Sequence, residues 1–409
     1  MIFKNGKTWY IFIAILVLFY PYNAFACGPF FEEIIFTYSI HPDFPFEKFS
    51  QGNLGVLQPT YKRSFLFVAY RYMTDRGLDK DEQKGMLKVW DDYFLSDWYI
   101  DVQEIIKPWL KVRNKVVEKS NIPSIYKNAG NRRYYSYLNC TKDAFTTAAS
   151  TLEKRIKQFG VKSPEVKEWV IAQDTVFKNC NNGKHLPQSV KPGTPPLFKA
   201  DRAYQIASAH FYAGDFDIAE ELFRQIAEDN ASPWRELAPY LTVRAILREA
   251  TLSDDTSGRI AGLQRAEKEL QKILVDKTLN KIHRFAQQLL GMVHFYLYPE
   301  KRMYELTDAI LKKNSGRTLK QNYWDFTLLF SKYEDLEESK KSDVIKKLAG
   351  KNDFVDWIYT IKNNDKTSLS HSIRKWKETN SLQWFVSSIM KIKSGHPELP
   401  RILKIAENI

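Results

Sequence analysis

From about residue 61 onward, apolar positions along the chain recur at helical spacing and seldom alternate. In YKRSFLFVAYRYM, Phe65, Val68, Ala69 and Tyr72 stand at i, i+3, i+4 and i+7, which predicts one buried helix face. Asp79 stands where a cap would open the next helix, which carries Trp90, Tyr93 and Phe94, and a further helix is expected around 97–119. Ala144, Ala148, Leu152 and Ile156 recur every four residues, with Thr141 or Asn139 as N-cap and Gly160 as the stop. Ser163 before Pro164 opens the following helix as N-cap and first-turn proline. The period continues through Leu237, Leu241, Ala245 and Ile246, then through Ile260, Leu263, Ala266, Leu270 and Leu274. More helical stretches follow at 280–300, 303–316, 321–336, 343–363, 371–395 (one or two helices) and 399–409. The fold class expected is mainly α, an array of helical hairpins stacked as a solenoid, with a short irregular or extended N-terminal segment.

Two stretches break the pattern. Residues 27–60 mix Gly, Pro and Phe with short apolar runs, and around Ile34 to Ile40 apolar positions alternate loosely. Extended, partly irregular structure with one short strand is expected there, because Pro42, Pro45 and Pro59 exclude a long helix. Residues 181–198 hold four prolines and two glycines, the composition of a loop. The expected division is a signal peptide at 1–26, an N-terminal helical region with an extended start at 27–180, a linker or long packed loop at 181–198, and a helical-repeat region at 199–409.

The first residues have the layout of a secretory leader. Lys4 and Lys7 precede an uncharged apolar run from Trp9 to Tyr20, and Ala24-Phe25-Ala26 forms a small-x-small triplet before Cys27. The alternative is an uncleaved membrane anchor, but the 12-residue run is shorter than the roughly 20 residues a spanning helix needs. Cleavage between Ala26 and Cys27 is expected, giving an exported, periplasmic or extracellular protein. Anchoring through a lipid on Cys27 is the minor alternative, because bulky Phe25 fits a lipidation triplet poorly. Loss of Lys4 and Lys7 lowers the net charge from +13 to +11. The basic residues are dispersed, which describes a solvated surface and also suits an anionic envelope surface. Nucleic acid is not an expected partner: an exported chain rarely meets it, and no zinc-finger spacing or RNA-binding aromatic motif occurs.

The two other cysteines sit at matching ends of two helices. Cys140 opens one and Cys180 closes the next, so an antiparallel hairpin brings both to the same end, where a disulfide would clamp it. Two separate thiols are the alternative, and Cys27 is left as the odd cysteine.

The segment AYQIASAHFYAGDFDIAEELFRQIAEDNASPW, residues 203–234, resembles one tetratricopeptide repeat. Ala207 takes the small position of the first helix, Gly214 the turn, and Ala219 and Phe223 the small and large positions of the second. Small residues let paired helices approach closely, and the phenylalanine fills the wedge between units. His210 and Ile226 depart from the pattern. The segments CGPFF, GNLGVLQPTYKRSFLFVAYRY and CTKDAF…WVIAQDTVFKNC also resemble a group of exported bacterial proteins with tetratricopeptide-like helical repeats. That resemblance implies export and a helical fold and brings no activity with it.

Chemistry-bearing motifs are sparse. There is no HExxH, CxxC, GxSxG, phosphate-loop or GxGxxG pattern. His283 and His294 are eleven residues apart, about 16 Å along a helix and too far for one metal. No catalytic residue, cofactor or metal is assigned. The strongest polar stretch is WDDYFLSDWYID at 90–101, where Asp97 and Asp101 share a helix face, as do Tyr93 and Asp97. Carboxylates beside aromatics suit glycosidic chemistry, although solvated acids at the end of an amphipathic helix look the same. The aromatic share of 14% suits a helical core and its seams, or glycan stacking. Two functions follow: a non-enzymatic envelope scaffold that binds a protein or peptide on the concave face of a repeat array, or a glycan-binding or glycan-cleaving envelope protein using residues 90–101. Intact-mass measurement of the exported chain is expected to start at an unmodified Cys27, and a diacylglyceryl adduct there would overturn ordinary cleavage.

Overall fold

In the computed structural model of the chain, the described residues are 46–94, 99–100, 102–118, 132–133, 139–181, 183–334, 338–363 and 366–407. The leader, Ala26, Cys27, Asp97 and Asp101 lie outside them, as does the expected extended segment up to residue 45. The described residues form eighteen helices, packed mainly as sequential neighbours. They begin with α1 (Phe46–Ser50), α2 (Arg63–Met73), α3 (Lys80–Phe94) and α4 (Val102–Arg113). A two-residue antiparallel pair, β1 (Tyr99–Ile100) with β2 (Arg132–Arg133), flanks α4. Hairpins follow: α5 (Lys142–Phe159) with α6 (Pro164–Phe177), α7 (Pro196–Ala213) with α8 (Phe216–Glu228), and α9 (Ala238–Leu252) with α10 (Thr256–Val275). The chain continues through α11 (Asn280–Leu297), α12 (Pro299–Leu311), α13 (Leu319–Glu334), α14 (Glu338–Ala349), α15 (Asp353–Lys362), α16 (Lys366–Thr379), α17 (Leu382–Lys391) and α18 (Leu399–Ala406).

Local chemistry sets the ends of these helices. Asp79 and Glu82 make a reciprocal capping box before α3: Asp79 Oδ1 accepts from the Glu82 N–H at 2.8 Å, and Glu82 Oε2 accepts from the Asp79 N–H at 2.8 Å. Ser163 caps α6 by accepting from the Val166 N–H at 3.4 Å, with Pro164 in the first turn. Gly214 ends α7 in a left-handed conformation at φ 88°, which a residue with a Cβ adopts only under strain. The run 371–395 divides into two helices, α16 and α17, where Asn380 takes φ 47°. Between Phe46 and Tyr61 the only described helix is the five-residue α1.

Cys140 and Cys180 are joined in a disulfide across the open end of the α5–α6 hairpin, with Cα atoms 5.2 Å apart and a sequence separation of 40. A loop of that length stabilises the fold by about 3–4 kcal/mol through the unfolded chain. Residues 183–195 carry no helix and are tied to α6 by Lys191 on Glu168 and to α7 by Arg202 on the Gln188 carbonyl. The Asn179 amide brackets His185, receiving its N–H at 2.7 Å and donating to its carbonyl at 2.8 Å. In the α7–α8 hairpin, Ala207 and Ala219 are fully buried and Phe223 packs between them and Ala238 and Ala245 of α9. Ile226 joins the same cluster, and His210 Nδ1 lies 3.1 Å from Asp215 Oδ2. Gly262 of α10 lets α9 come close, since a Cβ there would meet the Ala250 Cβ at 2.7 Å.

The largest core joins distant parts of the chain. Phe46, Phe49, Phe65, Phe67 and Trp90 of α1–α3 share it with Met303, Tyr323, Phe354, Trp357 and Trp384. Phe65 stacks on Trp90 at 4.8 Å, while Phe67 meets Tyr323 at 5.1 Å and Phe354 at 5.7 Å. Within this core Arg71 and Glu82 form a fully buried ion pair at 3.1 Å. Arg71 also donates to the Ile310 carbonyl at 2.7 Å and the Gly77 carbonyl at 3.0 Å, and Glu82 Oε1 accepts from the Ser315 N–H at 2.8 Å. Asp353, at the start of α15, accepts from Tyr70 at 3.0 Å and from the Trp384 indole at 2.8 Å. Burial would raise its pKa, but the bonds from Trp384, Gln383 and Lys375 outweigh burial and hold the carboxyl below its ordinary range.

Glu82→Ala leaves the Arg71 charge buried and two backbone N–H groups without an acceptor, and is expected to cost about 3–5 kcal/mol. Glu236→Ala, which removes an exposed pair with Lys281, is expected to cost less than about 1 kcal/mol. Urea unfolding of the two variants checks this, and equal losses would refute the role given to Glu82.

Candidate functional site

Three helices that each open a hairpin, α5, α7 and α9, line one face. Arg244 of α9 reaches across α7 to Asp143 of α5, with Nη1 3.3 Å from Oδ2. Further along, Arg248 donates to the Asn139 carbonyl at 3.2 Å. Side chains of alternate hairpins meet only if the face curves inward over the hairpin between them, so this face is concave. Both guanidiniums lie over the Phe211 ring of α7, at 5.5 Å for Arg244 and 5.2 Å for Arg248. Asn139, beside the disulfide, donates to the carbonyls of Tyr212 at 2.7 Å and Asn179 at 3.0 Å, fixing the ends of α6 and α7 to the start of α5.

Below this rim a recess of about 30 Å³ opens between α5, α6 and α7. Thr147 and Thr151 line it from α5, Trp169 and Gln173 from α6, and Tyr204, Ser208 and Tyr212 from α7. Trp234 forms a further wall and stacks on Tyr204 with ring centres 4.0 Å apart and planes 11° from parallel. A buried ion pair places these walls. Arg155 of α5 grips both oxygens of Asp201 of α7, at 2.7 and 2.8 Å, and Asp201 also accepts from the Trp234 indole at 2.9 Å. On the α6 side, Arg113 of α4 holds Asp174 at 2.8–3.0 Å. Gln205 donates to the Gln173 side chain at 3.2 Å and to the Trp169 carbonyl at 3.0 Å. The Trp169 indole N–H is buried and meets no acceptor among the described residues, although the residue is only 4% exposed.

Burial governs the ionisation of the surrounding groups. It raises the Tyr204, Tyr212 and Tyr240 phenols above the ordinary tyrosine range, against the opposing pull of Arg244. Burial lowers Arg248 to about 10, which leaves it cationic at neutral pH. The face therefore carries Arg244 paired with Asp143, Arg248 engaged at Asn139, and a set of neutral hydroxyls.

A wider groove of about 670 Å³ runs beside α12, lined by Tyr298, Glu300, Lys301, Tyr304, Asp308 and Tyr333. It is an open surface feature, and its Glu305 wall is engaged by Arg302 at 3.3 Å.

The residues that stood out in the sequence are distributed as follows. Cys140 and Cys180 anchor the rim of the concave face, and Ala207, Gly214, Ala219 and Phe223 build the hairpin behind it. Trp90 is a core residue stacked on Phe65, and most of the rest of the 90–101 stretch lies outside the described side chains. His283 and His294 are separately engaged, by the Asp276 carbonyl at 2.9 Å and by Glu267 at 3.0 Å. Among the described residues no His, Cys, Asp and Glu side chains gather as a metal site, and no helix is long and apolar enough to cross a membrane. Sequence reasoning did not find Asp143, Trp169, Tyr204 or Arg244. Nothing in their spacing marks them, since they come from four different helices.

A phenol with a raised pKa ionises in the unfolded chain before it does so in the folded one. Its contribution to stability is thus complete below about pH 10 and falls as pH rises beyond it. In an alkaline titration followed by tyrosinate absorbance, Tyr212→Phe is expected to remove one phenol from the late-ionising class. Loss of a phenol that titrates near pH 10 would refute the buried assignment.

Against known proteins, no family model, no curated protein and no solved structure matches this chain.

Proposed function

We propose that this chain is an exported, non-enzymatic scaffold of tetratricopeptide-like repeats that binds a peptide or an extended protein segment on the concave face of α5, α7 and α9. The observation that carries this reading is the alignment of Asp143, Tyr204, Ser208, Tyr212, Tyr240 and Arg244 from three successive hairpins along one inward-curving surface. A peptide in such a groove meets rigid aromatic rings, hydroxyls and a guanidinium, the side chains that carry most of the energy in protein recognition. Support for export comes from the leader-like N-terminus and from the Cys140–Cys180 disulfide, a bond favoured in oxidising compartments. The basic surface suits work close to an anionic envelope.

The glycan reading was placed by the sequence on residues 90–101; among the described residues a different place would suit it, the α12 groove, where Tyr298, Tyr304 and Tyr333 stand beside Glu300 and Asp308. It ranks second because this groove is an open surface with no enclosed polar recess.

Panning a random-peptide library against residues 27–409 is expected to select peptides whose retention falls at least tenfold on Arg244→Glu. Retention of peptidoglycan fragments with no peptide selected would overturn the scaffold reading in favour of the glycan one.

A further inference from the structure

Basic residues are dispersed along the sequence, but the fold gathers a group of them from two distant segments. One segment is α3, where Lys80, Lys84 and Lys88 stand at i, i+4 and i+8 and are all exposed. The other is KKNSGRTLK, residues 312–320, which runs from the end of α12 into α13 and holds four cations and no acid. Three contacts set the two segments side by side. Glu82 Oε1 accepts from the Ser315 N–H at 2.8 Å, Arg317 Nε lies 3.6 Å from Asp81 Oδ2, and a Cβ on Gly85 would stand 3.7 Å from the Lys320 Cβ. Lys312 and Lys313 are within three residues of Ser315, so their Cα atoms lie at most about 11 Å from it.

Among the described residues, the side chains of Lys80, Lys84, Lys88, Lys312 and Lys313 are exposed and meet no acid. Arg317 faces Asp81 and is still 88% exposed. Lys320 has a partner of its own and is left out of the count. Within 80–90 and 312–320 the acids are Asp81 and Glu82, and Glu82 is buried against Arg71. Asp75, Asp79, Asp91 and Asp308 stand at the borders together with Arg76, and Asp79 is occupied as the cap of α3. The patch itself therefore carries six cations and one exposed carboxylate. Beyond Lys320, Trp324 and Leu328 continue the same row of α13 at i+4 and i+8. Trp324 is half-buried and Leu328 is 53% exposed. Cations edged by a tryptophan and an exposed leucine have the layout of a surface that rests on lipid, the charges meeting anionic headgroups and the apolar residues the acyl boundary. A soluble polyanion offers Leu328 nothing.

We infer that this patch docks the protein on an anionic bilayer surface, with the five lysines and Arg317 over the phosphate headgroups and Leu328 at the acyl boundary. The inference rests on the export reading for the surface that the chain meets, and it leaves the peptide groove untouched.

The test is co-sedimentation of residues 27–409 with vesicles of phosphatidylcholine alone and of phosphatidylcholine mixed with an equal part of phosphatidylglycerol. Binding to the anionic vesicles alone is expected, weakening as salt is raised. Each cation at such a surface is worth roughly fivefold in binding, so Lys80→Gln, Lys84→Gln and Lys88→Gln together are expected to weaken it roughly a hundredfold. Lys154→Gln, Lys157→Gln and Lys162→Gln remove the same charge from exposed lysines elsewhere and are expected to weaken it by less than about fivefold. Both sets lie at exposed positions and are expected to keep the helical circular dichroism of the unmodified chain. Leu328→Gln is expected to weaken vesicle binding and to leave retention on soluble polyphosphate unchanged. Absence of binding to the anionic vesicles, or equal losses in the two triple variants, would overturn the patch. Tighter binding to polyphosphate than to vesicles at equal phosphate, or no effect of Leu328→Gln, would overturn lipid as its occupant. A chain that binds anionic vesicles but keeps its leader in the cell would overturn export and leave the patch standing. A chain that loses its leader and ignores the vesicles would do the reverse.

Discussion

Glu82 is the point on which the closed arrangement of helices turns. Its carboxylate accepts from Arg71 of α2, from the Asp79 backbone at the start of α3, and from the Ser315 backbone just before α13. A charge taken out of water costs several kcal/mol unless its partners are in place. Here those partners belong to three segments, one of them more than two hundred residues away. No two of the segments satisfy the carboxylate without the third. The aromatic seam of Phe67, Tyr70, Tyr323, Phe354 and Trp357 belongs to the same apolar core. The ion pair lies fully buried within that core.

The same device recurs where the candidate site is built. Arg113 with Asp174 fixes α4 to α6, and Arg155 with Asp201 fixes α5 to α7. Asp201 also orients Trp234, and Trp234 stacks on Tyr204, so a buried carboxylate sets the position of an aromatic wall on the binding face. At the other end, the disulfide and Asn139 hold three helix ends together.

Much of the helical architecture was legible because helices announce themselves by period. Phe65, Val68 and Ala69 are buried as their spacing requires, but the single buried face it predicted is too narrow, since every residue from Ser64 to Arg71 is buried and Tyr72 is half-buried; Ser163, Gly160 and Asp79 mark helix ends by known backbone chemistry. The hairpin at 203–234 could be read from Ala207, Ala219 and Phe223, because close helix approach demands small residues at fixed offsets. What could not be read is which buried face meets which. Periodicity shows that Phe67 is covered but carries no sign that Tyr323 and Phe354 cover it. Trp90 misled for a related reason: its neighbours in sequence are acidic, while its neighbours in space are Phe46, Phe49 and Phe65. The recess was hidden most completely. Asp143 and Arg244 meet across 101 positions of chain, and Trp169 lies in a run so apolar that it reads as ordinary core.

The closure of α1–α3 onto the C-terminal helices also dictates an order of events in time. A chain is made from its N-terminus, so α2 and α3 emerge early while the helices that cover them do not yet exist. Arg71 must wait 239 residues for the Ile310 carbonyl, which at ~5–20 residues per second is on the order of 10–50 seconds. Throughout that interval Phe65, Phe67, Tyr70 and Trp90 present an uncovered aromatic surface, although the α5–α10 hairpins between them and their partners bury most of their apolar side chains against neighbours close in sequence. The middle of this protein therefore closes through contacts near in sequence, while the aromatic surface of its beginning is covered only once the end is present.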